Sequence, residues 1–502
     1  AVLGDALRQR LDIRRIESGA RLVGVGDDLA HIHLHNAVDG LFPGKRESRR
    51  FNGLYTLTQQ DVINQSTHYD AVAYGGWAID LHPADGVYAG GNGCHQWHSK
   101  GVYQIPYRCY VTPDLDNLFV GGRIISSSHV ANGTTRVMCT SALGGEVIGR
   151  AASICLSKGY KPIDLVDRDR IGLLQSLLVK NGNFIPGIAV AVEDNLADSA
   201  EISVSSVLEL DDLPADGTWF GLDYPIAQLI PVNGKVPVVR MNVKADNATR
   251  LVMELRSSSK SENYTPDTID AVLEFDLKKD ENEIVADFSY SYATPRYAFI
   301  CLMKNPEISV PMSGRLVTGL TAVYNYINPA VSNFGKQVPP EGIGVEEFEF
   351  WCPKRRPESK NIAMSFAPPL ASFNSENLRN SYYRPYIGTN AWVAAFDDAR
   401  PEVCFKWNGR KQIKTIILYF DTDTDQAMET VQMGHFDACV PTCYREYIIR
   451  DSEGKELYHI TGNHQTLNVL ELDQPVTTDA IYVNFVRPCG DVCPGLMGVY
   501  VC

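Results

Sequence analysis

Residues 117–153 read NLFVGGRIISSSHVANGTTRVMCTSALGGEVIGRAAS, and three kinds of chemistry succeed one another along them. The run NLFVGG predicts a buried strand whose Gly121 and Gly122 let a ligand approach the backbone closely. Arg123, Ser126, Ser127, Ser128, His129, Asn132 and Thr134 then supply hydrogen-bonding groups. Beyond Arg136, the spacing of Ala142, Gly145, Gly149 and Ala152 predicts a helix with a smooth face for packing on a sheet. A helix beginning near Met138 aims free backbone N–H groups at the preceding loop, a site for an anionic or electron-rich group. A strand–loop–helix connection whose polar loop only faces water is the plainer reading of the same pattern.

Other clusters carry weaker signals. HIHLH places His31, His33 and His35 on one strand face, which suits a metal or an exposed polar face. GKRESRR (44–50) suits phosphates or a solvated basic turn. Cys439 with Cys443 and Cys489 with Cys493 form two C-x3-C pairs. They fit a four-cysteine zinc site, two disulfides or free thiols, and redox compartment decides among these. His95 and His98 are assigned no role. No paired-carboxylate constellation supports a glycosidase or lyase.

These groups need elements to hold them. At 502 residues the chain predicts roughly three domains. Apolar residues at 44% and charged residues at 21% are those of a globular protein with real cores. A net charge of −14 argues against a nucleic-acid partner, which is bound by accumulated Lys and Arg. No stretch approaches the length of a membrane span. Up to residue 187 short strands alternate with helices. GLYTLT (53–58) reads as a strand, TQQDVINQ carries Thr58 and Asp61 as a helix-start signal, and GVYQIPYRCYV reads as a strand interrupted at Pro106. DLVDRDRIGLLQSLLVKNGN predicts a helix with Ile171, Leu174, Leu177 and Leu178 on one face, stopping at NGN. From 188 onward, strands separated by Asn, Asp, Gly and Pro turns predict antiparallel sandwiches.

Several stretches together resemble the FAD-dependent oxidoreductase family: PGKRESRRFNGLYTLTQQDV (43–62), YGGWAIDLHP (74–83), GVYQIPYRCYV (101–111), NLFVGGR (117–123) and TTRVMCTSALGGEVIGRAA (134–152). The resemblance implies FAD as cofactor and the C-terminal part of a glutathione-reductase-like α/β flavin domain. It implies that Gly121, Gly122 and Arg123 lie near the ribityl-pyrophosphate. Val137, Met138 and Ala142, at the helix start, would face the pyrimidine edge of the flavin. Within that frame His129 and His82 are the acid/base candidates, and Arg136 and Arg108 would hold a substrate oxygen. Tyr107 and Trp77 are candidates for stacking on a sugar. The family's G-x-G-x-x-G is missing: GVGDDL (24–29) lacks the third glycine, and GGNGCHQ (90–96) follows no strand. A missing N-terminal polypeptide is therefore expected to complete the FAD site.

Residues from about 370 to 502 resemble the discoidin, or coagulation factor 5/8 C-type, jelly roll. That resemblance implies a carbohydrate-binding module, with Tyr382, Tyr383, Tyr386 and Trp392 as conceivable contacts. The expected organisation is a partial α/β flavin domain (1–187), a β-sandwich spacer (188–345) and a discoidin-like module (346–502). The expected activity is hydride transfer from a substrate hydroxyl carbon, of a sugar or glycoside, to flavin. The alternative is a non-catalytic carbohydrate-binding scaffold. Expected partners are a small-molecule or glycan substrate and, as an option, further copies of the chain. A secreted or periplasmic location is favoured over a cytoplasmic one.

Overall fold

The computed structural model describes residues 50–83, 88–189, 194–329, 333–338, 346–354, 360–422, 441–490 and 492–502. HIHLH, GVGDDL, Cys439 and most of GKRESRR lie outside them.

The first module opens with helix α1 (Gln59–Ile63). Its start is built as the sequence implies: Thr58 accepts from the Asp61 amide and the Asp61 carboxylate accepts from Thr58 N, a reciprocal cap. Strands β1 (Ala71–Gly75) and β4 (Tyr103–Pro106) pair antiparallel, as do β2 (Ile79–Leu81) and β3 (His95–Trp97). Pro106 ends β4, and the chain turns into a 3-10 segment over Tyr107–Cys109. Helices α2 (His129–Thr135), α3 (Met138–Lys158) and α4 (Arg168–Lys180) follow. The helix starting at Met138 is thus present, and α4 buries Ile171, Leu174 and Leu178 before stopping at Asn181.

Three local expectations are corrected. NLFVGG is not a strand: it contributes only the bridge from Phe119 to Val111, and Gly122 (φ 64) opens a 3-10 turn over Gly122–Ile124. GLYTLT likewise contributes one bridging residue, Leu57, paired in parallel with Ser127. The Ala142, Gly145, Gly149 stripe of α3 faces outward. The buried face is Thr140, Gly144, Val147, Ala151 and Cys155. Gly144 is needed there because a Cβ would meet the Tyr110 ring at 2.8 Å.

Two antiparallel sheets make the middle sandwich. One runs, in spatial order, Thr268–Leu277, Thr249–Ser257, Arg296–Leu302, Ile226–Val232, Ala322–Tyr324 and Cys352–Pro353. The other is built on Asn305–Ser313, Val238–Ala245 and Met364–Leu370, with Asp280–Ala286 at its side. Along Val238–Ala245, Val239, Met241, Val243 and Ala245 are buried while Arg240 and Asn242 are exposed, the two-residue period of a half-buried strand. Leu213, Ile230, Val243, Leu255, Ile300 and Val310 are fully buried between the sheets. Each such side chain contributes roughly 1.5–3 kcal/mol.

The last sheet orders Trp392–Val393, Gly495–Val501, Glu402–Phe420, Leu467–Pro488, Tyr444–Asp451 and Glu456–Thr461. Its two long strands, Glu402–Phe420 and Leu467–Pro488, pair with breaks in register that let them bend around one core. Glu201–Val204 also pairs with Glu402–Phe420, so a strand that reads as the start of the middle module belongs to the last one. Tyr383 stacks on Tyr419 at 3.7 Å, and Tyr419 Oη donates to the carbonyl of Lys180 at 2.6 Å. Those contacts fasten α4 to the last module. Among the described residues no helix is long and apolar enough to cross a membrane.

Candidate flavin-facing site

Strand β2 carries Asp80, and His82 follows directly on its last residue, Leu81. The His82 Nδ1 lies 3.1 Å from the carbonyl of Gly93, and its Nε2 lies 3.7 Å from Asp80 Oδ2. A carbonyl only accepts, so Nδ1 carries the proton and Nε2 is the basic nitrogen. At 3.7 Å the carboxylate makes no hydrogen bond with Nε2, yet it attracts the imidazolium once Nε2 takes up a proton. Arg136, the C-cap of α2, donates from Nη2 to the Asp80 carbonyl at 3.1 Å. Close packing permits this: a Cβ on Gly133 of α2 would meet Asp80 N and O at 3.1 Å. The Cys94 thiol hydrogen-bonds the Asp80 carboxylate, and burial together with that charge pushes the thiol pKa up. Asp80 Oδ1 is buried and without a partner.

Of the four catalytic candidates, the fold brings His82 and Arg136 together through Asp80. His129 is exposed at the first position of α2. Seven residues separate it from Arg136, about 10 Å at helical rise. Arg108 has other work. Its guanidinium grips buried Asp70 through Nε–Oδ2 (2.9 Å) and Nη2–Oδ1 (3.0 Å), between the rings of Tyr55 and Tyr69. The Asp70 hydrogen bond leads the causes that raise the Arg108 pKa. Tyr107 is fully buried and donates to the Pro162 carbonyl, so it offers no face to a sugar. Trp77 is half-buried, and its carbonyl accepts from Thr134 Oγ1.

The cofactor candidates fall into two groups. Val137 is the N-cap of the 21-residue α3 and provides no side-chain cap, and Met138 is 88% exposed. The first amides of α3 are thus not capped by the Val137 side chain. Thr135 Oγ1 and Ser141 Oγ, on either side of that start, are buried without a partner. Ala142 lies exposed one turn on. The Gly121–Gly122–Arg123 turn packs farther along α3: a Cβ on Gly121 would meet Ile148 Cδ1 at 2.6 Å. Ten residues of helix rise put the two groups about 15 Å apart. Only an elongated ligand touches both. Arg123 is exposed, and its carbonyl accepts from Asn132 Nδ2. A helix start without a side-chain cap from Val137, unpaired hydroxyls and a glycine turn at that spacing fit an extended dinucleotide such as FAD.

Asp80 and Cys94 were missed by sequence reasoning. The Asp-x-His alternation in AIDLH was the available signal for Asp80, and Cys94 had none. In the last module, Trp392 is fully buried and donates to the Ser206 carbonyl. It is a core residue. Cys489 is in a disulfide, while Cys443 and Cys493 are buried and outside any disulfide. A disulfide sulfur does not ligate zinc as a thiolate does, so the four-cysteine zinc site is overturned.

A search of curated proteins finds no match. Similar solved structures include chitosan-binding module 1 from a chitosanase/glucanase of Paenibacillus sp. IK-5, at 12% identity over 26% of this chain and 86% of that one, TM-score 0.20. They also include the family 32 carbohydrate-binding module of Streptococcus pneumoniae EndoD, at 11% identity over 26% and 86%, TM-score 0.20. A family 32 module of Clostridium perfringens bound to GalNAc-β-1,3-galactose matches at 9% identity over 26% and 82%, TM-score 0.18. Residues 25–178, which hold Asp80, His82, Arg136 and the start of α3, match the family described as FAD dependent oxidoreductase, a family that depends on FAD.

Proposed function

We propose that this chain forms the substrate-side half of an FAD-dependent oxidoreductase that oxidises a hydroxyl-bearing carbon of a sugar or glycoside. The observation that carries the reading is the start of α3, where a helix end without a side-chain cap from Val137 meets unpaired Thr135 and Ser141 hydroxyls beside the Asp80–His82–Arg136 group. FAD, when bound, supplies the acceptor for the hydride leaving the substrate carbon. Val137, Met138 and Ala142 would line its pyrimidine edge, and Gly121, Gly122 and Arg123 its distal part.

The protein's own residues do the rest. His82 Nε2 takes the proton of the substrate hydroxyl, and Asp80 stabilises the imidazolium that results. Arg136 holds the substrate oxygen while its hydrogen bond to the Asp80 carbonyl fixes the distance to His82. The positive end of α3 favours the negative charge that grows nearby on reduction. His129 remains a second candidate for moving a proton at the outer end of α2. The sugar part of the proposal draws on the resemblance of residues 370–502 to discoidin-like modules, which fits a secreted or periplasmic enzyme.

Among the described residues the only parallel pairing in this module is the single bridge between Leu57 and Ser127. The incomplete G-x-G-x-x-G of the sequence supports a further polypeptide segment that supplies the pyrophosphate-binding strand and loop. Anaerobic mixing of flavin-loaded native protein with methyl glycosides tests the reading. Bleaching of the flavin band that His82→Gln abolishes supports it; no bleaching with any sugar hydroxyl donor contradicts it.

A further inference from the structure

Away from the flavin-facing site, the first module is clasped to the middle sandwich at a short crossing. The Lys100 carbonyl accepts from the amides of Tyr264 and Thr265, each at 3.0 Å, and Gly101 bridges to Asn263. Glycine is needed at 101, because a Cβ there would run into the Glu262 carbonyl. Lys100 Nζ pairs with Asp267 at 3.0 Å, and Lys260 Nζ donates to the Gln65 carbonyl. The loop 258–267 thus grips residues 100–101 on one side and Gln65 on the other.

Two imidazoles are sealed in beside this crossing. His98 directly follows β3, stacks on Phe350 at 3.8 Å and donates its amide to Gln337 Oε1 at 2.9 Å. Its Nδ1 is buried without a partner. His68, three residues beyond Gln65, meets Tyr55 edge-on at 5.2 Å, and its Nε2 is likewise buried without a partner. A neutral ring tolerates such burial, whereas an imidazolium needs water or an acceptor for both N–H groups.

The surrounding charges do little to help either ring ionise. At the His98 end, Lys100 is committed to Asp267 and Glu349 to Arg256, and burial alone lowers the His98 pKa to about 3. Around His68, Asp61 and Asp70 favour the charged ring while Arg108 and Lys260 oppose it, and burial, the largest cause, lowers its pKa. Glu262 on the gripping loop works the other way: burial raises its pKa, so acid neutralises it in place. At the far end of the module, α4 is held independently, by Tyr419 Oη on the Lys180 carbonyl and by Lys180 Nζ 3.9 Å over the Tyr500 ring.

We infer that this crossing is an acid-released clasp: protons taken up by His98 and His68 free the 258–267 loop from residues 100–101, while α4 stays fastened to the last module as the pivot. A ring exposed on release takes up its proton near ~6.5, and the clasped ring only at lower pH. The released state therefore gains as pH falls below that value, by about ten-fold near pH 5.5 for His98 and by up to about ten-fold more for His68. The inference stands apart from the redox reading.

Hydrogen exchange of the full chain tests it, followed at the Tyr264 and Thr265 amides near pH 7.5 and near pH 5.5 and corrected for intrinsic rates. The expected result is an opening constant about ten-fold or more larger in acid, with the amides of the central strand Arg296–Leu302 keeping their protection. His98→Phe keeps the stack and should remove about ten-fold of the rise, and adding His68→Gln should lower it further. Glu262 is the same in all of these chains, so comparing them at one pH isolates the imidazoles. If a variant misfolds, the native His98 ring is titrated directly by NMR, and proton uptake below about pH 5 is expected. An opening constant that acid leaves unchanged, the full rise persisting in His98→Phe, parallel loss of protection along Arg296–Leu302, or uptake at His98 near ~6.5 would each overturn the inference.

Discussion

His82 and Asp80 are set so that attraction between them begins only when a proton arrives. Nδ1 is committed to the Gly93 carbonyl at 3.1 Å, and Nε2 stands 3.7 Å from Asp80 Oδ2. Too long for a hydrogen bond, that gap closes in energy as soon as the ring is charged. His82→Gln is expected to lower kcat about 10²- to 10⁴-fold with flavin content unchanged. Asp80→Asn should lower kcat with little change in KM, because it acts through the imidazole. Steady-state kinetics on flavin-loaded enzyme read both.

Arg136 is assigned to substrate holding. Arg136→Ala should raise KM on the order of ten- to a hundred-fold, the worth of one charged hydrogen bond, and Arg136→Lys should recover part of it. A KM that does not move in either variant would remove Arg136 from the substrate site.

Arg108 should separate from that group in any assay. The Asp70 side chain it pairs with is fully buried, so Arg108→Ala leaves an uncompensated charge inside. The expected cost is about 3–5 kcal/mol of stability. Denaturant unfolding reads that loss, and the folded fraction should turn over at the normal rate.

Acid should destabilise the protein through His98. Its ring stacks on Phe350 at 3.8 Å, its Nδ1 is buried without a partner, and burial pushes its pKa down to about 3. An unfolded histidine takes up its proton near ~6.5. Between those values the unfolded chain binds more protons, so stability falls as pH drops through that window. His98→Phe keeps the stack and removes the titration. Its melting temperature should fall less than the wild type's between neutral and mildly acidic pH.

Much of this arrangement is readable along the chain because it is local. The Thr58–Asp61 cap, the helix from Met138 and the stop at Asn181 each depend on residues within a turn of one another. The site itself is not local. Asp70 meets Arg108 across 38 positions, and the significance of Asp80 depends on Gly93, Cys94 and Arg136 arriving from other elements. NLFVGG misled because apolar content signals burial, whereas a strand also needs a partner along its length, and here only Phe119 has one. The small stripe of α3 misled for a related reason: spacing shows that a face is smooth, but not which face the neighbouring strands cover. Tyr382, Tyr383 and Tyr386 gave no hint in sequence that they lie where modules meet.

The visible absorption spectrum of the chain isolated from its natural source, with FAD present throughout, tests the central claim most directly. A flavin band that sediments with the chain, and releases one FAD per chain on denaturation, is the predicted result. Folded, colourless protein that takes up no flavin would contradict the assignment of the α3 start to an isoalloxazine ring.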